Sequence, residues 1–506
     1  MEKQKEKFDG RLLLVTTLLI SICSIIYELI ISSISSYLQG DSILQFSITI
    51  GLYMSAMGIG SYLSKYIKNN LFNKFIFIEI SIGILGGFSS LILFLANIYT
   101  QIYALIMYLL IILIGIFVGL EIPILTRIIE KNESNVRENL AHIFTFDYIG
   151  GLIGSIVFPL LLFPQVGFIT TSFIVGTINI FVAILIIWKY KKFIINHEAL
   201  KYCSVILFIV MILFLCLGGL ITKNIESGLY RDDIILSEQT EYQKIVMTKH
   251  KDDLRLFLDG NLQFSSNDEY RYHEALVHIP MMYAKNHDRV LILGGGDGLA
   301  AREVLKYEDV KEIVLVDIDK KMTDLCTENE QITRLNNNSL KNEKLKIINE
   351  DGYIFVQKNN EKFDVIIIDF PDPNNESLNK LYTNVFYNYV KANLAEGGVM
   401  VCQSTSPYYA PKSFWCINKT IKSQFNTVIP YHLQVPSFGE WGFNLAFNGE
   451  NIRNELSVDT RYLNSNNIDS LFVFGNDEIV PLDEVEENNM FKPILITYYN
   501  KEVQNW

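Results

Sequence analysis

Four acidic clusters stand at the ends of apolar runs in the second half of this 506-residue chain, and their types and spacing suit a cationic ligand. The apolar run 290–293 enters Gly294-Gly295-Gly296-Asp297, which opens a segment with helical patterning over 299–306. Glycines in such a strand-to-helix turn let backbone come close to a ligand, although many doubly wound domains use them only for packing. Asp297 narrows the choice. It puts negative charge where a pyrophosphate turn wants none, so a phosphate is disfavoured and a sulfonium carrying a free amine is favoured. Roughly 20 residues on, the run 313–316 delivers Asp317, from which a carboxylate can grip both hydroxyls of a ribose. The plainer alternative there is a solvated acid at a strand end. Glu350-Asp351-Gly352 offers a carboxylate or backbone group to the exocyclic amine of an adenine, against the alternative of an ordinary turn. Together the three describe an adenosine pocket.

The run 364–368 ends in Asp369-Phe370-Pro371-Asp372-Pro373, where the prolines stiffen the chain so that both carboxylates face one ligand. Paired acids suit an amine. An alkyl ammonium has a pKa near about 10 and cannot attack carbon until it loses a proton, so one carboxylate must accept that proton while others hold the remaining charge. A plain pair of loop acids is the alternative.

Such placement requires parallel strands whose carboxyl ends share one edge, where open α/β sheets bind ligands. The spacing therefore predicts a Rossmann-like α/β domain over 284–450. Before it, 243–248, 255–259 and 263–265 read as a small β-hairpin layer turning at Asp259-Gly260-Asn261, followed by a helix over 269–282, so that 228–283 forms the hairpin layer and linking helix. A C-terminal extension, 451–506, carries a further expected strand at 471–474.

The first half has a different composition. Apolar runs at 12–31, 42–63, 75–95, 103–124, 143–163, 168–188 and 204–221 are each about 20 residues, enough for a helix to cross a lipid bilayer, and predict a multi-pass membrane domain over 1–225 with about seven helices. The first run is too long for a cleaved signal and holds Glu28. Lys3, Lys5, Lys7 and Arg11 precede it, and Lys65, Lys68, Lys74, Arg127, Lys131, Arg137, Lys189, Lys191 and Lys192 fall in every second connection, while Gly40-Asp41, 96–101 and 163–167 have none. The positive-inside rule then puts the N-terminus in the cytoplasm of a cell-membrane protein. Seven crossings would leave the second half outside, at odds with the supply of a nucleotide-derived co-substrate. Either one segment fails to cross or the co-substrate reading is wrong. Glu28, Glu79, Glu121 and Asp147 sit in these runs, where an unpaired charge costs at least about 2.5–3.5 kcal/mol. Glu28, Glu121 and Asp147, close to Gly119, Gly150, Gly151 and Gly154, suggest a polar path for a cation, a polyamine under the family resemblance given below; acids satisfied by neighbouring helices are the alternative. Six cysteines without CxxC spacing suggest neither disulfides nor a zinc site, and a net charge of −12 without basic clusters argues against nucleic acid.

These residues resemble the aminopropyltransferases, the spermidine synthase family, and specifically its membrane-bound bacterial branch. The motifs that carry the resemblance are Glu241-Tyr242-Gln243, LDGNLQFSSNDEYRYHE, GGGDG with REVLK, VDID, EDG, DFPDP, LYTNVFY and Cys402-Gln403-Ser404, and in the first half Tyr27-Glu28-Leu29, LQFSITIGLYMSAMGIGSYLS, GLEIPILTR and FDYIGGLIGSIVFP. The resemblance implies a class I methyltransferase-like catalytic fold, a homo-oligomer, and transfer of the propylamine group of decarboxylated S-adenosylmethionine to putrescine, giving spermidine and methylthioadenosine. It implies no tightly bound cofactor. Asp369 would be the proton acceptor; Asp297 and Asp372 would bind amine groups. Gln243 would contact the methylthioadenosine portion with Gly294, Gly295 and Gly296 beside it, Asp317 the ribose, Asp351 and Gly352 the adenine, and His273 the polyamine. A sulfonium leaves as a neutral thioether, so no metal is expected. Two departures bear on the acceptor. Asp372-Pro373-Asn374-Asn375 replaces the family's usual Asp-Pro-x-Gly-Pro, and Trp441, after Pro436-Ser437-Phe438, stands as the expected aromatic wall. The rival readings are an S-adenosylmethionine methyltransferase, which the crowd of aspartates opposes, and a polyamine transporter or sensor whose second half only binds.

Overall fold

A computed structural model of the protein describes residues 10–40, 42–132, 136–230, 232–450 and 452–503. Lys3, Lys5, Lys7 and Asp41 lie outside the described residues. The chain divides into two compact units, Met1–Arg231 and Asp232–Trp506.

The first unit is helical: α1 (Arg11–Gln39), α2 (Ser42–Leu63), α3 (Leu71–Gly87), α4 (Ser89–Tyr99), α5 (Tyr103–Asn132), α6 (Val136–Val157), α7 (Phe163–Tyr190) and α8 (His197–Leu229). Among the described residues five stretches are long and apolar enough to cross a membrane, and α3 with α4, bent by 41°, passes the same test as a pair and counts as a sixth where the two form one span. One of the five, the 57-residue stretch Arg137–Phe193, contains both α6 and α7. It folds back on itself, because both helices pack on the middle of α1: the Ser21 hydroxyl donates to the Asp147 carbonyl at 2.6 Å and Tyr27 donates to Asn179 at 3.1 Å. A straight helix of that length would run about 85 Å and could not touch α1 twice. The reversal falls around the π-turn Phe158–Leu162 and Gly167, which has φ 71°. Glycines let the helices approach closely. A Cβ on Gly60 would lie 2.1 Å from the Ile116 carbonyl oxygen of α5. The polar ends sort consistently. Ser35 bonds Tyr103 and Gly228 lies beside Ile98 at one end, while Arg127 donates to the Ser64 and Ile67 carbonyls and Asn73 bonds Ile195 at the other. The start of α1 and the end of α8 thus lie at opposite ends of this unit.

The second unit begins with an antiparallel sheet of β1 (Asp233–Gln239), β2 (Lys244–His250), β3 (Asp253–Leu258) and β4 (Asn261–Ser265). The hairpin turn sits at Asp259-Gly260, both with positive φ. β1 is absent from the sequence reading, since its polar residues hide the alternation. After α9 (Glu269–Tyr283) come β5 (Arg289–Gly294), α10 (Leu299–Val304), β6 (Glu312–Val316), α11 (Lys320–Glu328), α12 (Glu330–Leu335), β7 (Leu345–Ile348), α13 (Gly352–Lys358), β8 (Phe363–Asp369), α14 (Glu376–Asn379), α15 (Asn384–Asn393), β9 (Leu394–Gln403), α16 (Pro411–Lys422), β10 (Thr427–Val435), β11 (Gly439–Phe447) and α17 (Ile494–Val503). The large sheet has the order β10-β11-β9-β8-β5-β6-β7, with β5 to β9 parallel and β11 antiparallel to both of its neighbours, β9 and β10. This is the Rossmann-like arrangement, and the order reverses between β5 and β8. Alternate residues of β5 feed two cores: Val290 and Ile292 face one, Leu291 and Leu293 the other, as a sheet covered on both faces requires. The C-terminal stretch packs into both, through Leu463 and Leu471 on one face and Val485 and Leu495 on the other. Residues 468–472 form a 3₁₀ turn instead of the expected strand at 471–474, because Ile468 and Leu471 then point into the core together.

Candidate active site

Parallel register sets the site. Gly294 at the end of β5 pairs with Asp369 at the end of β8, so the glycine turn and the base candidate are neighbours by construction. Only glycine fits at 294: φ is 83°, and a Cβ would lie 2.2 Å from the Asp369 carbonyl oxygen. Asp317 follows β6, and Asp351 caps α13 after β7, which brings the predicted acids to one sheet edge.

Asp369 accepts a 2.5 Å hydrogen bond from the Tyr272 hydroxyl of α9. Burial raises its pKa to about 6, with nearby Asp297 adding to the shift while His273 and Tyr272 oppose it. Asp372 accepts from the Tyr499 hydroxyl at 2.8 Å, from Thr405 at 3.3 Å and from the Gln403 amide at 3.4 Å, and burial pushes it too up to about 6. Burial holds the Tyr272 and Tyr499 phenols well above their usual range, so both keep the proton they donate. Asp297 is buried, with one oxygen accepting from the Leu299 amide at 2.8 Å; burial raises its pKa, with the His273 charge opposing. Asp317 accepts from the Gly296 amide at 3.1 Å and the Asp319 amide at 2.9 Å, and burial raises it to about 6. A cation entering here relieves the mutual repulsion and the desolvation of these carboxyls together.

The remaining predicted residues take less direct positions. Gln243 donates to Asp319 at 3.0 Å, which Thr240 also holds at 2.7 Å, and so ties the hairpin layer to the loop of Asp317. Asp351 has both oxygens engaged, by the Tyr353 amide at 2.9 Å and Lys380 at 2.5 Å, which leaves neighbouring backbone as the freer partner for an incoming base. Gly352 packs under the Phe370 ring, where a Cβ would come within 2.7 Å. His273 bonds Glu269 at 2.8 Å, and Arg302 grips Glu269 at 2.8 and 3.0 Å. Burial would lower the imidazole pKa, but the Glu269 bond and the charges of Glu269, Asp297 and Asp369 outweigh it and raise the pKa to about 9. A charged imidazole here balances the acids. Trp441 joins Tyr272 and Phe438 in an aromatic wall, with ring centroids 6.5 and 5.4 Å away, and donates to Gln403 at 3.3 Å.

Sequence reasoning gave no role to Tyr272, Gln403 or Tyr499. Tyr272 and Gln403 lie inside recognisable motifs next to assigned residues; Tyr499 carries no local signal. Gln403 is a hub, donating to the Tyr382 hydroxyl at 2.7 Å and to the Phe370 carbonyl. In the helical unit, Glu121 meets Glu79, which the expected polar path omits. The two carboxyls are neighbours, Asn179 donates to Glu79 at 3.0 Å, and both acids are buried.

The family described as "Spermine/spermidine synthase domain" matches residues 269–459. A solved spermidine synthase from Thermotoga maritima is 27% identical, covers 48% of this chain and 85% of its own, and superposes with a TM-score of 0.44. A polyamine aminopropyltransferase from Leptospira interrogans is 44% identical over 97% of this chain and 98% of its own length. One from Oceanobacillus iheyensis is 40% identical over 96% of each. Since that likeness runs through the helical unit as well as the acid-lined sheet edge, the chain belongs to the polyamine aminopropyltransferases of the spermine/spermidine synthase family.

Proposed function

We propose that this protein is a membrane-embedded spermidine synthase, transferring the aminopropyl group of decarboxylated S-adenosylmethionine to putrescine. The observation that carries the reading is Asp369 hydrogen-bonded to Tyr272, with Asp297 and Asp372 nearby and Trp441 and Phe438 as an apolar wall. The putrescine nitrogen forms a bond to the aminopropyl carbon beside sulfur, and the C–S electron pair returns to sulfur. Neutral methylthioadenosine leaves, and Asp369 takes the proton that the attacking amine gives up. Asp317 would hold the ribose, Asp297 the donor's amine, and Asp372 the far ammonium of the acceptor. The donor fits better than S-adenosylmethionine, whose carboxylate would face this ring of acids.

The helical unit is read as membrane-embedded because its outward residues are large and apolar: Met54, Leu105, Leu152, Trp188 and Leu220 are all exposed. Basic connections support a cytoplasmic N-terminus, and the side on which residue 230 emerges is read by labelling intact cells. A path for polyamine cations past Glu121 is part of the same proposal.

Purified protein in detergent, given each donor and a panel of amines, tests the reaction. Methylthioadenosine and spermidine are expected. S-adenosylhomocysteine would instead identify a methyltransferase, and amine binding without any turnover a transporter or sensor.

A further inference from the structure

The absence of cysteine ligand spacing gave no reason to expect a metal, yet β10, β11 and the C-terminal stretch bring His432, Glu440 and Glu478 together. One ligand atom from each lies within 4.8 Å of the others, and His432 and Glu478 are buried. His432 Nε2 faces the Val473 carbonyl at 2.8 Å and so carries the ring hydrogen. In the neutral ring Nδ1 is then a lone pair, and it points at the Glu440 carboxylate, acceptor against acceptor. Glu440 also meets the Glu478 carboxyl, and among the described residues no lysine or arginine pairs with either acid. Positive charge between these groups, either a proton on Nδ1 or a bound cation, relieves the convergence. A doubly charged cation with one neutral imidazole and two carboxylates closes the charge balance at zero.

The surroundings match a metal centre. A ligating histidine commonly donates its second nitrogen to a backbone carbonyl, which fixes the tautomer, as Val473 does here. Glu478 is held by the Gly475 amide at 2.5 Å, its carbonyl accepts from the Trp415 indole at 2.7 Å, and the Phe474 ring lies 4.2 Å from the imidazole. Tetrahedral ligands about 2.1 Å from zinc are about 3.4 Å apart, so small side-chain rotations bring the three donors to bonding distance and leave a fourth position for water.

We propose that His432, Glu440 and Glu478 form a site for a divalent transition cation of the zinc class. The ion staples residues 473–478 to the β10–β11 hairpin. Glu440 precedes Trp441 in β11 and points to the opposite face, so the ion fixes the strand that carries the aromatic wall without touching the substrate.

Full-length protein in detergent, stripped with a chelator and dialysed against Zn²⁺, is expected to hold one zinc per chain by elemental analysis and to unfold at a higher temperature than the stripped form. Co²⁺ in place of Zn²⁺ should give the strong visible absorption of four-coordinate cobalt. Loss of an outer partner of a metal ligand costs about 10–100-fold in affinity, so Glu478→Gln and Glu440→Gln, near-isosteric amides, should each weaken zinc binding at least about 100-fold. His432→Gln provides an independent arm if either amide variant fails to fold. Sub-stoichiometric zinc in the wild type, or zinc held equally well by folded variants, overturns the proposal and leaves an ion pair with a shared proton.

Discussion

Both units bury carboxyl groups, and they treat them differently. At the sheet edge Asp317, Asp369 and Asp372 each accept bonds from amides or phenols. In the helical unit Glu79 and Glu121 lean on each other, and one oxygen of each meets no donor among the described residues. The first arrangement gives each carboxylate a donor yet leaves it strained by burial, a strain that a cation would relieve. The second requires a proton between two acids, since carboxylates offer only acceptors. The same carboxyl group is thus supplied with donors in one region and set against another carboxyl in the other, and the neighbours make the difference.

The largest expected effect tests the catalytic half of that contrast. Asp369→Asn should lower turnover by about 10²–10⁴-fold with the donor still bound, measured as methylthioadenosine release against donor affinity. The same variant should gain stability. A carboxyl whose folded pKa is raised destabilises the fold above that pKa and is relieved as pH falls, so the variant's melting temperature should exceed the wild type's at pH 8 and converge with it near pH 4. Equal melting temperatures at pH 8 would show that Asp369 is not strained by burial.

Turnover with saturating amine should fall tenfold per pH unit below about 6, because Asp369 must be ionised to accept a proton. Tyr272→Phe should cost about 10–100-fold in kcat and move that inflection upward, since the lost hydrogen bond favoured the ionised form. An unmoved inflection would remove Tyr272 from the account. Tyr499→Phe should raise the acceptor KM by about 5-fold and leave the donor KM alone, as one bond of about 1–2 kcal/mol to Asp372 is lost.

The helical unit should respond least in the transfer assay. Glu121→Gln replaces an acid pair by an acid and an amide that satisfy each other, so transfer in detergent should stay within about 2-fold while polyamine efflux from cells declines. Unchanged efflux would end the proposed path. Sidedness is a separate readout: a cysteine at the exposed Asn267 should be labelled from outside intact cells if the basic connections decide orientation. Protection there would show that the charge rule is overridden in this chain.

Much of the arrangement at the sheet edge was legible in the sequence. The runs before Asp297, Asp317 and Asp369 are short and apolar between turn residues, and parallel strands place their ends on one edge. Trp441 as the aromatic wall followed from a motif departure. Asp351 was less legible, because Lys380, which occupies its carboxylate, sits in the irregular segment after Asp372. β1 escaped because four of its seven side chains are polar, and residues 471–474 were misjudged because a short apolar run does not distinguish a strand from a turn of helix.

By itself the sequence determined the two-part organisation, the strand order's raw material and the acids at the sheet edge, since these depend on local periodicity and on where each apolar run stops. Only the tertiary structure decided that Tyr272 reaches Asp369, that Tyr499 reaches Asp372, that Glu79 partners Glu121, and that His432 meets Glu478. Those pairs join residues that no local pattern connects, some about 100 positions apart, and a partnership of that kind arises only when packing of the whole unit fixes where each side chain ends.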